Sequence, residues 1–423
     1  MHFTGAHAHE ATLSDHAPGR PHQRPPLVVL ASLRWAEEGQ RPQQLLTRLA
    51  RHYRVFYVEE PLVTHRDAYL DVDRPAPGVQ VLTPHTRVDA AGFADAQLPV
   101  LRSLLARFAQ DNAIDAPLVL LHAPLALPLL DTLAPRAVIY DCMHDIPATP
   151  AAAPLLRERE AQLLQRADVV LAAGPALYQA LRLRHPEVHC IANAVDARHF
   201  SAALDGATIE AISARALHAA LPTPRLGWCG VIDERIDLAL LAHLADSRPD
   251  WQIMMAGPVA GIAASALPRR PNIHWLGPQT AAIQPHLQAH WDLCLLPLKC
   301  EVARRCAAPI EALEFLAGQK PVVATPAHDV VALHGHIVRL AATPDAFVEA
   351  CRAALCERGP LRRQRLVDAM IAVHSCTWER AAERVQQLLV EHAGARMPAG
   401  DRPPLHRLPQ TPLRVPAAGR PMP

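Results

Sequence analysis

From about residue 26 to residue 393, short apolar runs alternate with stretches in which apolar side chains return every three or four positions. A continuous apolar run bounded by polar turns predicts a strand buried on both faces, and the wider spacing predicts a helix lying over it. In the first half, strands are predicted at residues 27–31, 54–58, 118–122, 138–142, 169–173 and 188–192, with helices at 41–52, 97–110 and 155–166. The second half repeats the scheme, with strands at 226–229, 253–256, 273–276, 293–297, 321–324 and 337–340 and helices at 238–246, 283–290 and 310–317. Alternation of this kind predicts parallel sheets joined by right-handed crossovers.

A chain of 423 residues, half of them hydrophobic, is long enough for two such units with a core each. The fold class is therefore α/β, with two Rossmann-like doubly wound domains facing each other across a cleft, because ligands bind at the carboxyl ends of such sheets. The domains are placed at residues 26–200 and 225–376, with the alanine-rich residues 201–224 between them. Residues 1–25 carry His2, His7, His9, His16 and His22 without periodicity and read as a disordered leader, weak metal binding being the other use of such a stretch. Residues 394–423 form a Pro/Arg-rich tail. From Arg396 onward it holds eight prolines and five arginines in 28 residues, a composition that cannot build a core.

Charge narrows the function classes. A net charge of +1, from 42 basic and 41 acidic residues, gives no nucleic-acid footprint. The most apolar stretch, residues 117–130, is interrupted by His122, Pro124 and Pro128, so no membrane span is expected. With no signal-peptide apolar region at the start, the sequence reads as cytoplasmic, and association with the inner membrane face stays open. The nine cysteines show no repeated short spacing of a zinc or disulfide framework. Cys142, Cys190, Cys229 and Cys294 fall in predicted strands, where a thiol acts as a small hydrophobe.

The richest segment is residues 301–325, EVARRCAAPIEALEFLAGQKPVVAT. A polar loop enters a short helix carrying Glu314, Gly318 stops the helix, and Lys320-Pro321-Val322-Val323 begins a buried strand. This segment resembles the donor-sugar-binding segment of GT-B glycosyltransferases. The resemblance continues through Trp35 with Gln40-Arg41-Pro42-Gln43, Glu59-Glu60-Pro61, Tyr140-Asp141-Cys142-Met143, Ala167-Asp168-Val169 and Asn193-Ala194-Val195-Asp196. In the second half it includes Gly230-Val231-Ile232-Asp233-Glu234-Arg235, Gly257-Pro258 and Ile273-His274-Trp275-Leu276-Gly277. In order and spacing these are similar to family-4-like bacterial enzymes that build surface polysaccharides.

The resemblance implies an acceptor domain at 26–200, a nucleotide-sugar donor domain at 225–376 and a helix at 377–393 that returns to the first domain. It implies no cofactor and no metal. The donor would be a nucleotide-diphosphate sugar, and the acceptor a glycan or lipid-linked oligosaccharide. A carboxylate on a helix can accept hydrogen bonds from two neighbouring hydroxyls, which suits Glu314 to a ribose. Negative charge on the departing diphosphate calls for cations and helix N-termini, which points to Arg235, Arg304 and Arg305, with Pro309 and Gly230 at the approaching loops. His122, at the end of a strand, and His144 with Asp145, after the next, are the catalytic candidates for orienting a hydroxyl or moving a proton. Arg41 and Gln43 are candidates for holding an acceptor.

Two departures stand out. The family commonly has two glutamates with seven residues between them, and counting back from Glu314 the first falls at Cys306; nearer relatives have a lysine where this chain has Glu311. A glutamate there would repel a diphosphate, and Lys299 is the candidate to restore the charge. The alternative function is accordingly a catalytically degenerate GT-B scaffold that binds a nucleotide or a partner. A dinucleotide enzyme is disfavoured, since no Gly-x-Gly-x-x-Gly follows the first strand.

Overall fold

The computed structural model describes residues 24–36, 41–146, 153–202, 208–303 and 309–395. Its N-terminal part runs β1 (Pro26–Leu30), α1 (Arg41–Leu49), β2 (Arg54–Val58), β3 (Leu62–Val63), β4 (Tyr69–Ala76), β5 (Val79–Thr86), α2 (Leu98–Asp111), β6 (Leu118–Leu121), α3 (Leu130–Leu133), β7 (Ala137–Cys142), α4 (Pro154–Arg166), β8 (Val169–Ala172), α5 (Pro175–Leu181) and β9 (Val188–Cys190). The strands form one sheet in the order β3-β5-β2-β1-β6-β7-β8-β9, parallel throughout, with β4 added antiparallel to β5.

Period-two alternation sends neighbouring residues of one strand into different cores. Val28, Leu30, Phe56 and Val58 pack with Leu101 and Leu105 of α2 and Leu163 of α4, while Leu27, Val29, Val55 and Tyr57 pack with Leu46 and Leu49 of α1 on the other face. A strand buried on both faces must be apolar at every position, which is why these strands read as unbroken runs.

The C-terminal part continues α6 (Ala197–Ala202), α7 (Ile209–His218), β10 (Arg225–Cys229), α8 (Leu238–Ser247), β11 (Gln252–Ala256), β12 (Ile273–Gly277), α9 (Gln284–Ala289), β13 (Leu293–Leu296), α10 (Cys300–Ala303), α11 (Ile310–Ala317), β14 (Val322–Ala324), α12 (His328–His334), β15 (Arg339–Leu340), α13 (Pro344–Leu355), α14 (Gly359–Ser375) and α15 (Trp378–Ala395). Its sheet is parallel, in the order β12-β11-β10-β13-β14-β15. Within the alanine-rich residues 201–224, α7 is tied to this second unit: Ala214 enters its core and Trp291 Nε1 donates to His218 Nε2 at 3.0 Å.

Among the described residues, contacts at several places hold the two units together. Val195 donates its backbone N–H to Cys376 at 3.0 Å where the chain crosses over. Helix α15 then returns to the first unit, where Val385, Leu388 and Leu389 join the core under α1 and Glu379 pairs with Arg48 at 2.8 Å. On the far side, buried Asp329 at the start of α12 accepts the Ala176 N–H of α5 at 2.8 Å. The described cysteines are all unpaired thiols.

Candidate functional site

A cavity of about 820 Å³ lies between the two units at the carboxyl ends of both sheets. Two glycines shape its floor. Gly257, after β11, has φ +142° and sits against Gly230, so that a Cβ there would collide with the Gly230 carbonyl oxygen. Gly230, after β10, has φ +153°, and a Cβ on it would stand 2.8 Å from Oε1 of Glu311. The two strand ends therefore close up beside α11, leaving backbone rather than side chains exposed to a ligand.

Helix α11 begins beyond Pro309 and brings Glu311 and Glu314 to the cavity one turn apart. Burial raises both carboxyl groups, and Glu311 adds to the effect on Glu314, which is pushed up to about 8. The nearby positive charge of Arg235 opposes the shift at Glu311. At Glu314 the opposing group is Gln284, at the start of α9, whose Nε2 donates to Oε2 at 2.5 Å.

Arg235 also lines the cavity, held at 2.9 Å by Asp233 of its own loop. Asp237 caps the helix that follows by accepting the Leu240 N–H at 3.0 Å, which fixes the end of this loop. Across the cleft, His144 follows β7 and faces solvent in the cavity. The surrounding walls lower its pKa, and the charge of Arg235 lowers it further, so the imidazole is neutral near pH 7.

Several candidates are placed elsewhere. His122 is buried, with Nε2 3.3 Å from Oδ2 of Asp141, and stands behind the cavity wall. Arg41 reaches the wall, but its Nε and Nη2 bond the two oxygens of Asp141 at 3.1 and 2.9 Å and its Nη1 bonds the Ile191 carbonyl at 2.7 Å. Any acceptor contact by Arg41 would have to break a buried ion pair. Gln43 faces the loop after β1 and donates to the Trp35 carbonyl at 2.8 Å. Glu59 holds the same loop through the Trp35 N–H at 2.7 Å and Arg34 at 2.9 Å.

Asp145 is outside the cavity lining, and Lys299 is exposed and outside it too, although its N–H bonds the Arg235 carbonyl at 2.7 Å. Arg304, Arg305 and Cys306 lie outside the described residues, as do the histidines of the leader and the Pro/Arg-rich tail. Residues that sequence reasoning did not single out complete the wall, notably Gln284, Gln279, His199 and Trp378. Their roles depend on which helices stand side by side, which local sequence does not carry. No described group of three or more His, Cys, Asp or Glu side chains could hold a metal ion, and no described helix is long and apolar enough to cross a membrane.

Comparison with known proteins fits this geometry. Residues 223–357, which make up most of the C-terminal unit, match the family model described as Glycosyl transferases group 1. The protein of Bacillus subtilis (strain 168) assigned as teichuronic acid biosynthesis glycosyltransferase TuaH is 28% identical over 205 residues, which is 44% of this chain and 50% of that protein. The chain thus aligns with half the length of that curated relative.

Among solved structures, sucrose-phosphate synthase from Thermosynechococcus elongatus superposes with a TM-score of 0.68 at 15% identity, covering 88% of this chain and 100% of that one. HepE of Anabaena, solved with UDP and glucose, gives 0.66 at 14% identity over 87% and 100%. The fold is the GT-B fold, with two Rossmann-like domains. Within it, the match to the Glycosyl transferases group 1 model falls in the C-terminal domain.

Proposed function

We propose that the protein is a glycosyltransferase that moves a sugar from a nucleotide-diphosphate donor, UDP-linked in the first instance, to a lipid-linked or oligosaccharide acceptor in surface polysaccharide synthesis. The observation that carries this reading is Glu314, a carboxyl group on a helix of the group 1 domain, opening into a cavity between two Rossmann-like domains. HepE was solved with UDP and glucose, and the Bacillus subtilis relative is assigned to teichuronic acid biosynthesis, so both comparisons point to sugar transfer in glycan assembly.

In this reading the donor ribose sits on Glu314, and its diphosphate lies between the backbone at Gly230 and the N-terminus of α11, whose partial positive charge favours an anion. Arg235 turns from Asp233 to the leaving group as charge develops there. The reaction uses no metal ion, because these groups take the charge a cation would otherwise balance. His144, neutral near pH 7, accepts the proton of the acceptor hydroxyl from the other side of the cleft.

One observation favours the degenerate scaffold instead. Asp233, Glu234, Glu311 and Glu314 put four carboxyl groups on the donor side of the cavity, against the single described arginine 235. Calorimetric titration with UDP, GDP and ADP, followed by assay of sugar transfer from the corresponding donors, decides between them. Binding with transfer supports the enzyme, binding without transfer supports the scaffold, and no binding removes both.

A further inference from the structure

The chain crosses from the first unit to the second at Val195, whose N–H bonds the Cys376 carbonyl at 3.0 Å. Asp196 then leads into α6, its Oδ1 accepting the backbone N–H of Arg198 at 3.1 Å, and Phe200 packs into the core of the second unit. Between them stands His199, exposed at the cavity, with Nε2 2.9 Å from the carbonyl oxygen of Ala281, 82 positions further along the chain. A carbonyl oxygen can only accept, so Nε2 carries the hydrogen and donates it.

Ala281 belongs to the loop between β12 and α9, which forms one wall of the cavity through Gln279, Thr280 and Ala281. The loop is fixed at its two ends. Gly277 leaves β12 with φ +69° and its carbonyl accepts the Gly257 N–H at 2.8 Å, while Ile283 is buried in the core and its N–H bonds the Thr280 carbonyl at 3.2 Å. Thr280, Ala281 and Ala282 are exposed, with small side chains that bring little packing of their own. His199 grips the middle of that exposed stretch from another element. Directly beyond it Gln284 reaches Glu314, so this wall and the helix that carries the two carboxyl groups meet here.

We propose that His199 is a positioning residue for the ligand of this cavity: by holding the Ala281 carbonyl it keeps the wall in place before the ligand arrives, and it ties that wall to the segment on which the chain crosses between the domains. The proposal rests on the reading of the cavity as a nucleotide-sugar site. A loop ordered in advance spares the ligand the cost of ordering it, so loss of the tie should appear as lost affinity rather than as a lost fold.

The test pairs His199→Ala with His199→Gln, whose amide can donate to the same carbonyl. Calorimetric titration of the full chain with UDP should show His199→Ala binding roughly three- to tenfold more weakly than wild type, the range expected for one hydrogen bond, with His199→Gln within about twofold of wild type. Hydrogen exchange should be faster in His199→Ala at residues 279–283 alone, saturating UDP should remove that difference, and Tm should not move. Full UDP affinity in His199→Ala, equal losses in the two variants, or faster exchange spread through the second unit overturns the positioning role while leaving the donor site standing. Failure of the wild-type protein to bind UDP overturns the donor reading, and the positioning role with it.

Discussion

Arg41 and Asp141, 100 positions apart in the sequence, form a two-pronged ion pair inside the first domain, with Nε and Nη2 at 3.1 and 2.9 Å from the two carboxylate oxygens. Asp141 is fully buried, which on its own would favour the neutral acid, but Arg41 and His122 together outweigh burial and hold the carboxyl group well below its ordinary range. The pair joins the start of α1 to the end of β7 directly under the cavity. Breaking such a pair from one side leaves an uncompensated buried charge. Arg41→Ala should therefore lower stability by roughly 3 to 5 kcal/mol, read by urea denaturation. Wild-type stability in that variant would mean that the guanidinium is free to serve a ligand.

Arg235 carries a different kind of charge, partly exposed and held by a neighbour in its own loop. A group that acts on the leaving diphosphate should affect turnover more than it affects binding of a nucleoside. Arg235→Ala is expected to cut kcat while uridine affinity stays unchanged. If uridine binding falls in proportion, the loop has been disturbed and the leaving-group role is lost.

Glu311 places a second carboxyl group where the diphosphate would lie. Its pKa is raised by burial, so its charge appears as pH rises, and the repulsion should grow with it. Glu311→Gln should tighten UDP binding by an amount that grows as pH is raised, and added salt should shrink the gain. Equal UDP affinity with and without the substitution at pH 8 would show that the carboxyl group does not face the phosphates.

The carboxyl group of Glu314, raised from its ordinary 4.5 to about 8, ties stability to pH in the empty protein. Between those values the folded chain keeps a proton that the unfolded chain has released, so stability falls as pH climbs through this window. Glu314→Gln removes that dependence. Its Tm relative to wild type should be higher at pH 8 than at pH 5, measured by differential scanning fluorimetry. A difference that does not change with pH would place the carboxyl group in water.

Much of the fold was legible because its central strands are buried on both faces. Arg54–Val58 and Ile310–Ala317 fall where the apolar pattern puts them, and other expected elements shift by one to three residues at their ends. The hairpin of β4 and β5 was not, since β4 is mostly exposed and alternates with aspartates, and Pro75 and Pro84 argue against a strand. β4 lies at the edge of the sheet, and Pro84 of β5 lies past Val58↔Leu82, the last pair that β5 makes with β2, so each proline is accommodated.

Glu314, Glu311, Arg235, Gly230 and Pro309 are close together in chain segments whose order already marks a ligand site, and all five line the cavity. Gln284 and the Arg41–Asp141 pair depend on which elements stand side by side. Strand order β1-β6-β7 brings α1 beside the end of β7, and the adjacency of α9 and α11 brings Gln284 to Glu314. An arginine opening one helix and an aspartate ending an apolar strand were visible separately, but nothing local joined them.

The central claim is that Glu314 anchors the ribose of a nucleotide-sugar donor, and titration of wild-type protein and Glu314→Gln with UDP tests it most directly. The wild-type protein should give a saturating isotherm, and the variant should bind more weakly by roughly 1 to 3 kcal/mol, the cost of leaving a buried hydroxyl without its partner, while unfolding as cooperatively as wild type. The same affinity in both proteins would contradict the account.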